Sequence, residues 1–147
     1  MRAVQPQPTA TPIPAEPPFA LLIDDDPISA NVLKNLLRDS GFVEELQVIS
    51  NAEVAVTYFQ ALRVGRQENL GLIFVDLGFP HGHGFEILRA IRGNPACASL
   101  YVAVLTGSDQ REDKDGSFSL GADTYLKKFP SIVDMIRLRE NLAARNN

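Results

Sequence analysis

The sequence predicts an α/β fold, a doubly wound sandwich in which helices cover both faces of a parallel sheet. Three observations carry that expectation. Short, almost uniformly apolar runs recur along the chain, separated by stretches of helical period. The runs are too apolar to leave one face in water, as strands buried on both sides require. Three of them end in polar residues of distinct chemistry, and polar chemistry gathers at the carboxyl edge of such sheets.

The first 18 residues stand apart from this pattern. Six of the ten prolines lie there, at Pro6, Pro8, Pro12, Pro14, Pro17 and Pro18, with almost no large apolar side chains. Such a segment has too little to bury, and residues 1–18 are expected to form an extended, mobile tail ahead of a single domain over 19–147. The first strand is expected at Phe19-Ala20-Leu21-Leu22-Ile23. Ile28, Val32, Leu33, Leu36 and Leu37 then form one helical stripe, with Asp26 as cap, Pro27 as first helical residue and Gly41 past the end. Leu46 to Ile49 is the second strand. Ala52 to Arg63 is the second helix, capped by Asn51, with Val54, Ala55, Tyr58, Phe59 and Leu62 facing inward. Residues Val64 to Gly71 form a long connection to the third strand, Leu72 to Val75, and Gly84 to Arg92 is the third helix. Tyr101 to Leu105 is the fourth strand. Asp109 to Leu120 carries much charge, Gly116, and only Phe118 and Leu120 as large apolar anchors, so a short or mobile helix is expected. Thr124-Tyr125-Leu126 is a fifth strand, and Ser131 to about Ala144 the last helix, with Ile132, Met135, Ile136, Leu138 and Leu142 apolar.

At 147 residues, 45% apolar and 22% charged, with a net charge of −4, the chain suits one globular unit. A domain of that size sustains a core without disulfides, and the single Cys97 cannot form an internal bridge. No Lys/Arg cluster is present to neutralise a run of phosphates, so nucleic acid is not expected as a direct partner. No apolar run approaches the roughly 20 residues that cross a bilayer, and the start lacks a secretory h-region. No membrane partner is expected, and the cytoplasm is the expected compartment.

The strand ends carry the chemistry. The first strand ends in Asp24-Asp25-Asp26, the third in Asp76 and the fourth in Thr106, while Lys127-Lys128 follows the fifth. In a parallel sheet these groups emerge at one edge. Converging carboxylates repel one another, and Mg2+, which prefers oxygen ligands and keeps several waters, relieves the conflict. Together with a Lys and a Thr hydroxyl they make a site for a phosphoryl group. Asp76 would attack phosphorus, Lys128 and Mg2+ would neutralise the equatorial oxygens, and Thr106 would donate a hydrogen bond.

Residues 19–145 resemble the receiver domain of two-component response regulators. The resemblance rests on an ordered set of motifs. Leu21-Leu22-Ile23-Asp24-Asp25 carries the family's acidic pair, Asp76-Leu77-Gly78-Phe79-Pro80-His81-Gly82-His83-Gly84 its phosphoacceptor loop, Thr106-Gly107 its Thr and small residue, and Gly121 to Lys128 the segment that ends in its Lys. The intervals agree as well, with 30 residues from Asp76 to Thr106 and 22 from Thr106 to Lys128. The resemblance implies a flavodoxin-like, five-stranded sheet in the order 2-1-3-4-5. It implies that Asp76 accepts phosphate from a sensor histidine kinase or phosphotransfer protein. Asp25, Asp76 and the Gly78 backbone carbonyl would ligate Mg2+ directly, and Asp24 mostly through water. The first two Asp of the run are taken as the acidic pair because Asp26 has its own explanation as a helix cap. Strand parity and the family's spacing favour Lys128 over Lys127. Thr106 and Tyr125 match the family's switch pair, against the plainer reading of Tyr125 as a half-buried strand aromatic. The resemblance further implies a stand-alone regulator, not an enzyme acting on a separate substrate. Its output would be contact with a downstream protein target, with a homodimer through the fourth-to-fifth-helix face in keeping with family habit.

The departures are local. The family usually places a cis proline after its Lys, whereas here the order is Lys128-Phe129-Pro130; a cis bond before a non-proline costs about 2.5–4 kcal/mol, so Lys128–Phe129 is expected trans. Phe79 stands where Met or another apolar residue is usual, and His83 where Asp or Asn is usual. His81 and His83 are read as ordinary loop histidines rather than a transition-metal site. Cys97 has no nucleophile constellation around it. Gly78 and Ser108, each two residues past a site residue, occupy positions that set acyl-phosphate lifetime in the family, and both being small suggests easy access for water. Two other readings compete: a phosphate-independent interaction module, and a haloacid-dehalogenase-type phosphatase. The second needs an Asp two positions after its nucleophile, where Gly78 stands.

Overall fold

Strand and helix alternate five times in the computed structural model, which describes residues 19–42, 45–63, 70–79 and 83–145. The elements are β1 (Phe19–Ile23), α1 (Pro27–Asp39), β2 (Leu46–Ile49), α2 (Ala52–Ala61), β3 (Leu70–Val75), α3 (His83–Arg92), β4 (Tyr101–Thr106), α4 (Arg111–Ser119), β5 (Thr124–Lys127) and α5 (Ile132–Arg145). A 3-10 turn, Pro95–Cys97, follows α3. The strands are all parallel and run β2-β1-β3-β4-β5, the order the resemblance implied. The tail at 1–18, the loop residues Pro80, His81 and Gly82, and residues 64–69 of the long connection lie outside the described residues.

The pleat divides the core in two. Leu21, Ile23, Ile73, Val75, Val102 and Val104 pack with Phe59 of α2 and Ile87, Leu88 and Ile91 of α3. Their neighbours Ala20, Leu22, Leu72, Phe74, Ala103 and Leu105 pack on the other face with Leu33 and Leu37 of α1 and Met135 and Leu138 of α5. Alternate residues of one strand thus serve opposite layers, which explains why the strand sequences are apolar throughout.

Helix ends are set by side chains. Asp26 caps α1, its Oδ1 accepting the Ile28 N–H at 3.0 Å, and Pro27 opens the helix. Asn51 caps α2 by accepting the Val54 N–H at 2.9 Å. α2 stops at Ala61, two residues before the expected Arg63, because Asn94 reaches across to donate to the carbonyls of Phe59 (2.7 Å) and Leu62 (2.9 Å). Arg92 fastens the opposite edge of the sheet to the turn after α3. Its guanidinium donates to the carbonyls of Gly121 (2.9 Å), Cys97 (3.1 Å) and Leu100 (3.0 Å) and to Asp123 Oδ2 (2.8 Å).

Several expectations need correction. Leu70 and Gly71 are strand, not connection, since β3 extends to pair Leu70 with Phe19 of β1. Helical period places Ile28 and Val54 inward, yet they are 64% and 56% exposed, and Phe118, expected as an apolar anchor of the fourth helix, is 44% exposed. Ile28 and Val54 both sit in the first turn of their helix. The Lys128–Phe129 peptide bond is cis, not trans. The local amide preference is overridden by tertiary contacts: the Lys128 N–H donates to the Thr106 carbonyl at 2.7 Å, its ammonium reaches Asp24 and Asp76, and Pro130 is buried.

Candidate functional site

The strand register brings the polar ends together. Ile23 pairs with Val75 and Val75 with Val104, so Asp24 and Asp76 leave adjacent strands side by side, one residue short of the level of Thr106 on the next. The Asp76 N–H donates to the Ile23 carbonyl at 3.0 Å, and Thr106 pairs with Lys127, which places Lys128 just past the same edge.

Asp24, Asp76 and Thr106 are buried, whereas Asp25 is exposed at the mouth. The Lys128 ammonium lies 2.7 Å from Asp24 Oδ2 and donates a hydrogen bond to Asp76 Oδ2 at 3.3 Å. The contact to Asp24 is an ion pair whose angle falls short of a directed hydrogen bond. Asp24 Oδ1 accepts the Asp26 N–H, and Asp76 Oδ1 accepts the Gly78 N–H, both at 2.9 Å. Each is an Asx-type turn, in which an aspartate at a strand end anchors itself on the backbone two residues on. Sequence reasoning named Gly78 for its carbonyl and missed this use of its N–H. The signal was an Asp followed by a tight turn.

Burial pushes the Asp76 carboxyl above its ordinary value of 3.8; the Gly78 N–H and the Lys128 ammonium oppose that rise, and the Asp24 charge adds to it. Burial alone would lower Lys128, but its close contact with the Asp24 carboxylate and the charges of Asp76 and Asp24 outweigh that and hold it above 10.5. Lys128 is therefore a permanent cation here. Lys127 instead reaches outward to Asp109 at 2.6 Å, with both side chains more than half exposed.

Carboxylate oxygens of Asp24, Asp25 and Asp76 all lie within 4.8 Å of one another. Three hard oxygen donors at that spacing, one open to water, fit a small hard divalent cation. Two glycines keep the space around Asp76. A Cβ on Gly78 would stand 3.1 and 3.2 Å from the two Asp76 carboxylate oxygens, and one on Gly84 only 2.7 Å from the Leu77 Cα.

Thr106 Oγ1 accepts the Ser108 N–H at 3.3 Å, and Tyr125, half-buried, donates its hydroxyl to the Ser108 carbonyl at 2.9 Å. The two residues of the expected switch pair therefore meet through Ser108. Phe79 is buried in the α2–α3 core layer. Cys97 is buried away from the site with its thiol 4.0 Å from the Phe59 carbonyl, and burial pushes its pKa up, as for an unreactive thiol. His83 opens α3, but its side chain lies outside the described residues, as do His81 and the loop proline. Among the described residues, no helix is long and apolar enough to cross a membrane.

Known proteins share both sequence and fold. The sequence pattern of the response regulator receiver domain matches residues 20–140. The response regulator Rcp1 of Synechocystis sp. is 28% identical over 129 residues, which is 86% of this chain and 86% of that protein. The crystal structure of Rcp1 in its Mn2+-bound form gives a TM-score of 0.64 at 27% identity, covering 87% of this chain and 93% of that one. A receiver domain of the sensor histidine kinase PA1611 from Pseudomonas aeruginosa, crystallised with magnesium in its active-site cleft, shares the fold at a TM-score of 0.68 and 20% identity, over 86% and 98% of the two chains.

Proposed function

Because the chain belongs to the response regulator receiver domain family, we propose that Asp76 is its phosphoacceptor, taking a phosphoryl group from a phosphohistidine on a sensor histidine kinase or phosphotransfer protein. The observation that carries this is the setting of the Asp76 carboxylate, with a permanent ammonium 3.3 Å away and two further carboxylates within 4.8 Å. In the transfer, an Asp76 oxygen forms a bond to phosphorus and the bond from phosphorus to the imidazole nitrogen breaks. That nitrogen keeps the electron pair and takes up a proton.

Asp25, Asp76 and the Gly78 carbonyl would hold Mg2+, with Asp24 acting mostly through water. The ion, when bound, offsets negative charge on the phosphoryl oxygens. Lys128 supplies a second fixed positive charge. Thr106 Oγ1 accepts from Ser108, so its proton is available to a phosphoryl oxygen. Gly78 holds Asp76 in place through its N–H and leaves room beside it. Thr106 and Tyr125 act as the switch pair, joined through Ser108.

The phosphodonor has a surface to meet. Ile28 on α1, Phe129 after β5, and Ile132 and Val133 on α5 are exposed apolar side chains on segments that begin at the sheet edge carrying Asp76. An apolar rim around a charged centre suits a protein donor that seats its own apolar face while presenting a phosphohistidine. A thermal shift tests the phosphoryl site. Mg2+ plus beryllofluoride should raise the Tm of the wild type and leave that of Asp76→Asn unchanged; an equal rise in both would refute the assignment.

A further inference from the structure

A groove of about 550 Å³ lies between α2 and α3, with Ala52, Val56 and Ala90 on its floor and Gln60 and Arg89 on its walls. It continues past Asn94 and Pro95 as a second hollow of about 320 Å³, which Gln60 and Arg89 also line. Both helices leave the sheet edge that carries Asp76 and end at the opposite edge, where β1 begins at Phe19. Charge divides along the groove. Glu53 and Glu86, in the first turns of the two helices, stand at the Asp76 end, and Arg89 stands below them.

The chain that enters β1 has a complementary pattern. Between Val4 and Phe19, Ile13 is the one large aliphatic side chain, and between Arg2 and Asp24, Glu16 is the one charged residue. Pro12, Pro14, Pro17 and Pro18 around them favour the polyproline II form, with three residues per turn and a rise of about 3.1 Å per residue. In that form Ile13 and Glu16 share one face, about 9 Å apart. The 13 residues from Pro6 to Pro18 then span about 40 Å, against about 12 Å for the α2 stretch from Ala52 to Gln60, so reach is ample.

We propose that the proline-rich segment ahead of β1 docks in the α2–α3 groove of its own chain, with Ile13 on Ala52 and Val56 and Glu16 at Arg89. Entering from the Phe19 end, the segment brings Glu16 to the basic part of the groove and carries Ile13 further up to the apolar floor. The tether holds it at an effective concentration in the millimolar range, so one aliphatic anchor and one ion pair are enough to populate the contact. Its prolines reduce the chain entropy lost on docking. α1 and α5, which carry Ile28, Ile132 and Val133 of the donor rim, pack on the other face of the sheet, so that surface stays open. The docked segment reserves the α2–α3 face instead, and a partner that binds there has to displace it. The contact is independent of the phosphoacceptor reading.

A nitroxide attached to Thr11→Cys in the full chain tests the contact by its broadening of amide signals; Cys97 is fully buried and stays unlabelled. Amides of Val56, Gln60 and Ala90 should lose roughly half of their intensity or more at every protein concentration, and those of α5 far less. Ile13→Ser and Glu16→Arg should each cut that loss at least about twofold, and Arg89→Glu added to Glu16→Arg should restore it. Loss spread evenly over both faces of the sheet, no loss, or a loss that Ile13→Ser leaves unchanged would overturn the proposal. So would broadening of an isotope-labelled copy by a spin-labelled, isotope-free one, which would give the groove to a second chain.

Discussion

The Lys128 ammonium and the Asp24 carboxylate stand 2.7 Å apart, and the aspartate side chain is sealed from solvent. The pair lies beside Asp76, so a single cation balances two carboxylates in a buried place. That arrangement makes the charge on Lys128 a matter of stability as well as of chemistry.

Replacing Lys128 with Met should therefore destabilise the metal-free protein by about 2–4 kcal/mol, because it strands a buried carboxylate next to another. Urea unfolding measures the loss. It should be larger at pH 8 than in acid, where protonation of Asp76, whose carboxyl is raised by burial, relieves the repulsion, and Mg2+ should recover part of it. A loss that is the same at both pH values would contradict this electrostatic account.

Asp76 behaves in the opposite sense. Its carboxyl titrates above 3.8 because burial disfavours the charge, so between its unfolded and folded pKa values the folded state binds more protons. Its contribution to stability falls as pH rises through that window and remains unfavourable above it. Asp76→Asn should raise the Tm of the metal-free protein near neutral pH by about 2–8 °C, roughly 1 kcal/mol, and the gain should shrink in Mg2+. Lys128 has the same sign of dependence in an alkaline window, its stabilisation present below 10.5 and lost above its raised folded pKa. Calorimetry across pH separates the two.

The run of three aspartates divides by task. Asp26 caps α1, and Asp26→Ala should cost about 1 kcal/mol with Mg2+ affinity little changed. Asp25 is exposed within the carboxylate cluster, and Asp25→Ala should leave metal-free stability within about 0.5 kcal/mol while weakening Mg2+ binding at least tenfold. Titration calorimetry with Mg2+ on the two variants checks the division.

The exposed apolar rim separates donor docking from chemistry. Phe129→Ser should slow transfer from a phosphohistidine protein by about tenfold and leave labelling by a small phosphodonor unchanged. Equal slowing with both donors would place Phe129 in the chemistry instead.

Much of this was legible in the chain. Uniformly apolar strands that end in Asp24, Asp76 and Thr106 fix the layer order and the edge where the groups meet, because a parallel sheet sends every strand end the same way. Caps such as Asp26 and Asn51 are short-range and follow from local chemistry. Helical period was a poorer guide at Ile28 and Val54: it defines a stripe but not how far the opposing layer extends along it. The Arg92 clamp joins residues up to 31 positions apart, and the Ser108 bonds to Asp113 and Tyr125 depend on how α4 and β5 approach the loop. Neither leaves a periodic or compositional trace. The cis bond at Lys128–Phe129 belongs with these, since local amide energetics point the other way.

The most direct measurement is intact mass after incubation with a small-molecule phosphodonor, comparing wild type with Asp76→Asn in the presence and absence of Mg2+. One phosphoryl adduct on the wild type, requiring Mg2+ and absent from Asp76→Asn, is the expected result. A folded wild type that forms no adduct, or an adduct of equal yield on Asp76→Asn, would contradict the assignment of Asp76 as phosphoacceptor.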